Sequence, residues 1–343
     1  MVCLKIWIDI LTGKQLLFAE PIIKKLEGKN NLLCTKRSYR ELNGLAKIRN
    51  ISAISVGRHG GMENISKLVC SARRIEGLSR LVYKFKPDLA ISFQSPEAAR
   101  VAFGLGIKHV GFADSAHATA VMRLTVPYLD KLLIPWIMKK STFSRYGIAE
   151  KDILQYRAID AALISMRSFS SNELIKRHSS IVMLRMAENQ ASYNRFADTQ
   201  IIPIICHILR CLPDFQIVVL ARYAEQIKFL KRQFGRKITV INKVLDGKDA
   251  LRHADVFVGS GGTMTAEAAF LGIPTISYSN RQDYEVDAFL EKKKIITREP
   301  DPEKIPGIIK EIARGNPAYK NRAQALLKTM RDPFPVLQKA MRL

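Results

Sequence analysis

Two successive series of alternating strand-like and helix-like segments constrain the fold of this chain more than any other feature. In the first series, short β-branched or aromatic segments predict strands at 5–10, 32–35, 53–56, 88–93 and 108–113. Between them, apolar residues at helical spacing predict helices at 15–27, 62–86 and 96–104. Such alternation is typical of a parallel sheet covered by helices. The first half of the chain therefore predicts an α/β domain.

The second series repeats this arrangement. Its predicted strands lie at 180–184, 215–220, 238–241, 255–259 and 273–278, and its predicted helices at 199–211, 223–234, 263–271 and 283–293. A polar, turn-prone stretch near 160–178 separates the two series. The 343 residues also exceed the roughly 250 to 300 at which a single core stops growing. We therefore expect two Rossmann-like domains, 1–165 and 166–343, that face each other across a cleft.

The charge balance favours anionic partners. The chain has 55 Lys and Arg against 31 Asp and Glu, a formal net charge of +24 that is spread over both halves. An even spread is compatible with a merely solvated basic surface, but a field of this size attracts nucleotide phosphates, acidic lipid or RNA. Acidic proteins are the less expected partners.

Cysteine usage and hydropathy point to a cytoplasmic protein. The five cysteines are odd in number and scattered, without a CxxC pair, so a disulfide framework and a structural zinc site are not expected. No apolar run approaches the roughly 18 residues that a membrane span needs. Any membrane contact is therefore expected to be peripheral, on the inner face.

Polar residues follow four predicted strands of the first half. Because ligands of open parallel sheets bind outside the carboxyl ends of the strands, these residues are candidates for a ligand site. They are Asp9 with Lys14 and Gln15, His59 with Gly60 and Gly61, Ser95 with Glu97, and Asp114 with His117. Each alone also fits a helix cap or a turn, and His59 before two glycines could simply shape a turn. Because all of them are predicted to lie at one edge of the sheet, a functional site is favoured over separate caps and turns.

Asp114 and His117 are the leading catalytic candidates. A carboxylate near an imidazole can orient it and keep it basic, as general acid-base catalysis requires. The structural alternative is that Asp114 caps a helix and His117 lies in its first turn. The sequence does not decide between these two interpretations.

The strongest local signal is the segment 256–267, VFVGSGGTMTAE. A strand leads through a Ser-Gly-Gly turn into a helix, an arrangement that offers free backbone N–H groups and a positive helix end to an anion. Gly261 and Gly262 admit a phosphate, and the hydroxyls of Ser260 and Thr263 add donors. Glu267 can accept paired hydrogen bonds from a ribose diol or can simply complement the helix dipole. The turn is neither a Walker A loop nor a GxGxxG fingerprint.

These residues carry a family resemblance. The segment 259–296 resembles the nucleotide-sugar segment of glycosyltransferase-B proteins, notably the membrane-associated N-acetylglucosaminyltransferase of peptidoglycan synthesis. The resemblance implies that the 260–263 turn binds the diphosphate, that Glu267 binds the ribose, and that Gln282 with Asp283 binds the sugar. Through WIDIL, GRHGG, SPEAARVAFGLGI and SGGTM, nearly the whole chain resembles an uncharacterised, mainly archaeal family of glycosyltransferase-B-like proteins. In this fold the last helical stretch, here 318–343, crosses back to the first domain.

A second resemblance is to the non-hydrolysing UDP-N-acetylglucosamine 2-epimerases. Their SGG turn and basic HRREN stretch resemble residues 260–262 and 184–189. The epimerase Gly-Asp after the fourth strand is replaced here by Phe93 and Gln94, and the histidine before the Arg pair by Leu184. These departures remove acid-base groups that epimerisation needs.

The sequence thus predicts a glycosyltransferase that moves a sugar from a nucleotide-diphosphate donor, UDP foremost, to an acceptor hydroxyl. The candidate residues after the first-half strands are then expected to form the acceptor side. Among them, Asp114 and His117 are expected to provide the base, with Glu97 as a substitute. Arg185 is expected to help the turn stabilise the departing diphosphate. We expect no metal and no cofactor, since the nucleotide sugar is the substrate. The alternatives are an epimerase and a non-catalytic binder of RNA or another polyanion.

Two segments suggest a lipid-linked acceptor. In 62–86, six basic residues accompany an apolar helical stripe, which also fits a core face with a solvated basic side; they are Lys67, Arg73, Arg74, Arg80, Lys84 and Lys86. In 122–146, an apolar and aromatic stretch runs into Lys139 and Lys140. Apolar residues flanked by cations favour contact with an anionic membrane surface.

Overall fold

The chain forms two units, each built on one parallel sheet. The computed structural model describes residues 3–170, 175–187, 200–280, 285–313 and 317–342. The first unit comprises Met1–Asp160 with Arg331–Leu343, and the second comprises Ala161–Met330. The domain change is predicted at 165/166, whereas the units change between Asp160 and Ala161.

Seven parallel strands form the sheet of the first unit. They are β1 (Lys5–Ile10), β2 (Asn31–Ser38), β3 (Ile54–Arg58), β4 (Leu89–Phe93), β5 (Lys108–Phe112), β6 (Lys131–Pro135) and β7 (Ile153–Tyr156). Their order in the sheet is β3-β2-β1-β4-β5-β6-β7. The five strands predicted for this half correspond to β1 to β5. Because β1 and β4 lie side by side at the centre, their carboxyl ends deliver Asp9 and Ser95 to the same edge.

Helices connect these strands. They are α1 (Gly13–Leu26), α2 (Arg40–Ile48), α3 (Asn64–Phe85), α4 (Pro96–Gly104), α5 (Thr119–Thr125), α6 (Ser141–Ser144) and α7 (Asp160–Ser165), the last of which begins at the junction between the units. Trp7 on β1 packs with Leu78 and Val82 of α3 and with Ala98 and Val101 of α4 in a buried core. The apolar face of the second half of α3 therefore holds this helix on the sheet.

The interfacial role expected for 122–146 is wrong for three apolar residues at its centre. Leu132, Leu133 and Ile134 lie in β6 with at most 1% of their surface exposed. A continuous apolar run is what a strand covered on both faces of a parallel sheet requires. Lys139 and Lys140 therefore follow a buried strand of the sheet and not an apolar surface segment.

The stripe on α3 divides into two parts. Leu78 and Val82 are fully buried, whereas Ile65 and Leu68 are 66% and 67% exposed. The first half of this stripe therefore does not belong to the core. Arg74, which the sequence placed on a solvated basic face, is only 1% exposed. That prediction is wrong because Arg74 pairs with a buried carboxylate of β1.

The second unit has a six-stranded parallel sheet. Its strands are β8 (Ile181–Arg185), β9 (Gln216–Leu220), β10 (Thr239–Ile241), β11 (Val256–Gly259), β12 (Thr275–Ser277) and β13 (Thr297–Arg298). Their order is β10-β9-β8-β11-β12-β13. The helices are α8 (Ile201–Cys211), α9 (Ala224–Phe234), α10 (Gly247–Leu251), α11 (Thr263–Phe270), α12 (Glu285–Lys292), α13 (Ile305–Ile312) and α14 (Pro317–Leu327). The central pair β8 and β11 leads to Arg185 and to the Ser-Gly-Gly turn.

The C-terminal stretch contains two helices. After α14, the chain passes to α15 (Phe334–Met341), which belongs to the first unit and contacts β6 and β7 there. Pro333 precedes α15 and marks the interruption. Within the described ranges, no helix is both long enough and apolar enough to cross a membrane.

Candidate functional site

The turn between β11 and α11 has a backbone that only glycines can supply. Gly261 and Gly262 have φ values of +83° and +79°, in the region that side chains disfavour. A Cβ on Gly261 would also lie 2.2 Å from Oδ2 of Asp287. Gly262 is the residue that caps α11. The turn therefore leaves backbone N–H groups accessible at the start of a helix.

A carboxylate already lies against this turn. Both oxygens of Asp287, on α12, are 3.4 Å from the Gly262 nitrogen, which donates to them. Burial raises the pKa of Asp287 to about 6, although the Gly262 hydrogen bond and Arg298 oppose the shift. Asp287 was not among the sequence candidates. Its position indicates that the turn accepts an anionic group, as helix N-termini do.

The other predicted donor-site residues border the turn to different extents. Ser260 and Thr263 are partly exposed on either side of the glycines. Leu184 pairs with Val258 in the sheet, so Arg185 lies beside the end of β11; its Nη1 donates to the Leu220 carbonyl at 3.4 Å. Gln282 and Asp283 lie outside the described residues.

Glu267 lies in a buried polar cluster. It is 3% exposed, and its Oε1 makes no hydrogen bond to any residue that the structure describes. Arg167 is 3.7 Å away but directs two hydrogen bonds, of 3.0 and 3.2 Å, to Asp246. Burial raises the pKa of Glu267 to about 8, since Arg167 compensates only part of that cost and Asp246 adds to it. The cluster places an acceptor oxygen without a described hydrogen-bond donor on the helix that follows the turn.

In the first unit, Asp9 is fully bonded inside the fold. It accepts from Thr35 at 2.6 Å and from Ser95 at 2.7 Å, and Arg74 donates two further bonds of 3.1 and 2.6 Å. Burial disfavours the carboxylate, but Arg74 and these hydrogen bonds outweigh it and lower the pKa of Asp9. Asp9 and Arg74 therefore anchor α3 and α4 to the sheet.

Asp114 pairs with a lysine. Its Oδ2 accepts from Lys14, and its Oδ1 accepts from Ser115 at 2.8 Å. Lys14 also lies 3.2 Å from Oδ2 of Asp160, the first residue of α7. Lys14 therefore bridges two carboxylates that follow β5 and β7. We call this set, with Tyr156, the Lys14 cluster.

The two carboxylates of the Lys14 cluster have opposite pKa shifts. Burial acts on both, but the Lys14 ammonium outweighs it at Asp114 and lowers that pKa. Burial and the neighbouring Asp114 charge raise the pKa of Asp160 to about 6, against the effect of Lys14. The Tyr156 hydroxyl donates to Asp160 at 2.5 Å. One carboxylate is thus held ionised while its neighbour titrates near neutral pH.

The remaining acceptor-side candidates have mixed surroundings. Gln15 bonds the Leu11 N–H at 2.7 Å and the Phe93 carbonyl at 2.5 Å, while Ser95 caps α4. Glu97 is buried 3.7 Å from Arg74, and its Oε2 has no hydrogen bond to a described residue. His117 is half-buried in the loop after β5. Because α5 begins at Thr119, the alternative in which Asp114 caps this helix and His117 lies in its first turn is wrong.

The His59-Gly60-Gly61 segment forms a close turn against α3. The Gly61 nitrogen donates to Nδ1 of His59 at 3.0 Å. A Cβ on Gly60 would lie 2.6 Å from the Cα of Lys67, so only glycine allows this approach. The turn-shaping interpretation of these residues therefore has direct geometric support.

Two residues of the sites escaped the sequence analysis for identifiable reasons. Asp160 follows β7, which was not predicted because its four residues, ILQY, are short and not continuously apolar. Asp287 lies in an acidic first turn of α12, a pattern that ordinarily indicates dipole complementation alone. The sequence signal for Asp160 is its position as an acidic residue at the start of the polar stretch 160–178.

Comparisons with known proteins place the chain in a family. Residues 4–341 match the family described as "Protein of unknown function (DUF354)". The chain belongs to this family. An uncharacterised protein of Methanocaldococcus jannaschii is 30% identical over 309 residues, which cover 86% of this chain and 88% of that protein.

Solved structures identify the fold. The UDP-GlcNAc 2-epimerase of Neisseria meningitidis, bound to UDP-GlcNAc, matches with a TM-score of 0.71 at 13% identity and covers 98% of this chain and 97% of its own. The glycotransferase of kitacinnamycin matches with a TM-score of 0.66 at 13% identity, over 99% and 100% of the two chains. This member of the DUF354 family has the glycosyltransferase-B fold, which nucleotide-sugar enzymes use.

Proposed function

We propose that this protein is a glycosyltransferase that transfers a sugar from a nucleotide-diphosphate donor, a UDP-sugar foremost, to an acceptor hydroxyl. The observation that carries the proposal is the 260–263 turn, whose Gly262 N–H already holds a carboxylate. The solved neighbour of the same fold that is bound to UDP-GlcNAc supports a nucleotide sugar as the ligand. The basic surface supports an anionic substrate.

On the donor side, the turn would bind the diphosphate through backbone N–H groups and the hydroxyls of Ser260 and Thr263. Arg185, at the end of the neighbouring strand, would add positive charge as the diphosphate departs. Glu267 keeps its role as ribose acceptor in this proposal, because its Oε1 has no hydrogen-bond donor among the described residues. Gln282 and Asp283 keep the sugar-binding role that the family resemblance implies.

On the acceptor side, the Lys14 cluster would remove the proton from the attacking hydroxyl. A base serves best when its pKa lies near the working pH, and Asp160, with a pKa of about 6, meets this condition better than Asp114. Since the two carboxylates share Lys14, they titrate as one system. Asp114, His117 and Glu97 remain candidates for the base.

Epimerisation of a UDP-sugar is the second candidate. Its support is the fold shared with a solved 2-epimerase. Against it, Gln94 stands where those enzymes have an aspartate, and Leu184 where they have a histidine. The remaining alternative, a non-catalytic polyanion binder, has the net charge of +24 in its favour.

The proposal extends to a peripheral membrane location through the first half of α3. Ile65 and Leu68 are 66% and 67% exposed, and Arg73 is exposed on the same helix. Met62, two residues before α3, is 51% exposed. Apolar side chains beside cations suit the surface of an anionic bilayer. A lipid-linked acceptor would be reached from such a position.

The deciding experiment measures UDP release from a panel of UDP-sugars, with and without lipid-linked and soluble acceptors. A glycosyltransferase gives acceptor-dependent UDP release and a glycosylated product. An epimerase converts the UDP-sugar without an acceptor. Absence of both reactions, together with tight, salt-sensitive RNA binding, would replace the enzyme proposal with the polyanion binder.

A further inference from the structure

A pocket of about 560 Å³ lies in the first unit, apart from the residues of the Lys14 cluster. Its lining consists of Thr119, Arg123, Pro127, Arg145, Tyr146 and Gly147. Two of these residues are arginines, and none of them carries a carboxylate. The volume falls within the roughly 300 to 1,000 Å³ of small-molecule sites. The lining therefore favours an anion larger than a simple ion.

Arg145 is held in position by a buried anchor. Its Nη2 donates to the Tyr146 hydroxyl at 3.0 Å, and its guanidinium lies 4.9 Å from the centre of the same ring. The Tyr146 side chain is buried and its hydroxyl donates to the Ala116 carbonyl at 2.8 Å. A cation ordered in advance loses less conformational freedom when a ligand binds.

Gly147 is a lining residue of the pocket whose backbone conformation favours glycine. Its φ is +101°, which disfavours any residue with a side chain. A Cβ at this position would lie 3.7 Å from Cβ of Pro127, another lining residue, which is an ordinary van der Waals contact. The backbone conformation therefore favours glycine here more than the available space does.

The pocket adjoins the loop that carries Asp114 and His117. Tyr146 bonds Ala116 within this loop, and the Thr119 nitrogen donates to the His117 carbonyl at 2.8 Å. Thr119 and Tyr146 thus belong both to the pocket wall and to the support of the loop. A group bound in the pocket would lie beside residues proposed to act on the acceptor.

We propose that this pocket binds a phosphate or diphosphate group of the acceptor substrate. Guanidinium groups recognise phosphate through paired hydrogen bonds, and two of them face one space here. The assignment to the acceptor rests on the proposed function, whereas phosphate binding by Arg123 and Arg145 does not. Leu124, which follows Arg123 in α5, is 56% exposed. Such an apolar residue suits a phosphate carried by a lipid, while a soluble phosphate ester offers the same chemistry.

The test is calorimetric titration of inorganic pyrophosphate into the full-length chain saturated with UDP, so that the 260–263 turn is occupied. The expected result is binding that weakens about ten- to a hundredfold in Arg123→Ala and in Arg145→Ala, the loss of a charge-assisted hydrogen bond. Arg145→Lys should weaken binding less than Arg145→Ala. Arg232→Ala, which removes the same charge from an exposed position on α9, should leave it unchanged. Arg123→Ala carries the test if the Arg145 variants fail to fold.

Vesicles of phosphatidylcholine, with and without phosphatidic acid, separate the two sources of phosphate. Arginine-dependent sedimentation with phosphatidic acid supports a lipid-borne phosphate, and arginine-dependent binding of pyrophosphate alone supports a soluble ester. The inference is overturned if pyrophosphate binds Arg123→Ala and Arg145→Ala as tightly as it binds the wild type. It is also overturned if pyrophosphate binding disappears once UDP is bound. A chain that fails to bind UDP but binds pyrophosphate through these arginines would overturn the donor proposal and retain the pocket.

Discussion

Asp287 is the side chain whose charge bears most directly on the 260–263 turn. Its carboxylate accepts from Gly262, the N–H group that the diphosphate of a donor would use. When ionised, this carboxylate repels a phosphate at the same place. When protonated, it can donate a hydrogen bond instead. Donor binding should therefore be coupled to proton uptake by Asp287.

We predict that Asp287→Asn raises UDP affinity roughly tenfold at neutral pH, because it removes a like charge from the phosphate position. The wild type should bind more tightly as the pH falls through about 6, where Asp287 becomes protonated. Calorimetry on both proteins over this pH range measures the difference. The phosphate of UDP itself titrates near 6, but that effect is common to both. Equal pH dependence in the two proteins would refute the coupling.

Asp160 offers a second prediction, about chemistry instead of binding. Asp160→Asn should lower turnover by roughly 10² to 10⁴, the usual contribution of a general base, while UDP affinity stays near its wild-type value. Wild-type activity should rise with pH through about 6, as Asp160 loses its proton. Acceptor-dependent UDP release against pH is the measurement. The matched control is Asp152→Asn, which removes a surface carboxylate paired with Lys131; full activity in Asp160→Asn would return the role to Asp114, His117 or Glu97.

Among the elements, α3 combines two different environments in one helix. Its second half packs on the sheet through Leu78 and Val82. Its first half exposes Ile65 and Leu68, although both belong to the same apolar stripe. Burial of the second half stabilises the unit, whereas Ile65 and Leu68 in the first half remain largely exposed to solvent. An exposed apolar stripe of this kind indicates an interaction surface.

Matched substitutions in α3 separate these environments. Leu78→Ala should cost about 2 to 5 kcal/mol of unfolding free energy, as buried leucines do, whereas Leu68→Ala should change it by less than about 0.5 kcal/mol. Leu68→Ala should instead weaken sedimentation with anionic vesicles. Urea unfolding followed by circular dichroism gives the first quantity. Unchanged vesicle binding in Leu68→Ala would remove the membrane role of α3.

For the molecule as a whole, the C-terminal return makes the first unit depend on the last residues of the chain. Leu337 and Ala340 of α15 are at most 1% exposed, and the helix contacts β6 and β7. The first unit is thus complete only when the second has been synthesised. A substitution in α15 should therefore lower the stability of the first unit and leave that of the second unit unchanged.

We predict that Leu337→Ala destabilises the first unit by about 2 to 5 kcal/mol and leaves UDP binding by the second unit intact. Differential scanning calorimetry should show the transition of the first unit shifted to lower temperature, and isothermal calorimetry should show the wild-type UDP affinity. Limited proteolysis identifies which unit opens first. Loss of UDP binding in this variant would mean that the donor site depends on α15.

Local sequence determined the architecture and the backbone conformation of one turn. Strand and helix alternation predicts both parallel sheets because apolar periodicity reflects which face of each segment is buried. The conformation of the Ser-Gly-Gly turn could also be predicted from the sequence, since two consecutive residues with positive φ favour glycine whatever surrounds them. The family resemblance led to the glycosyltransferase-B fold, which the solved structures confirm.

Only the tertiary structure decided the pairing of charges and the burial of ambiguous segments. From the sequence, Arg74 is predicted to be a surface cation. In the structure it is buried and donates hydrogen bonds to Asp9, which is 65 residues away. Lys14 and Asp114 are separated by 100 residues, and no local pattern links them or adds Asp160. The apolar run of β6 reads equally as a core strand or a membrane contact, because hydrophobicity specifies that a segment leaves water but not what covers it.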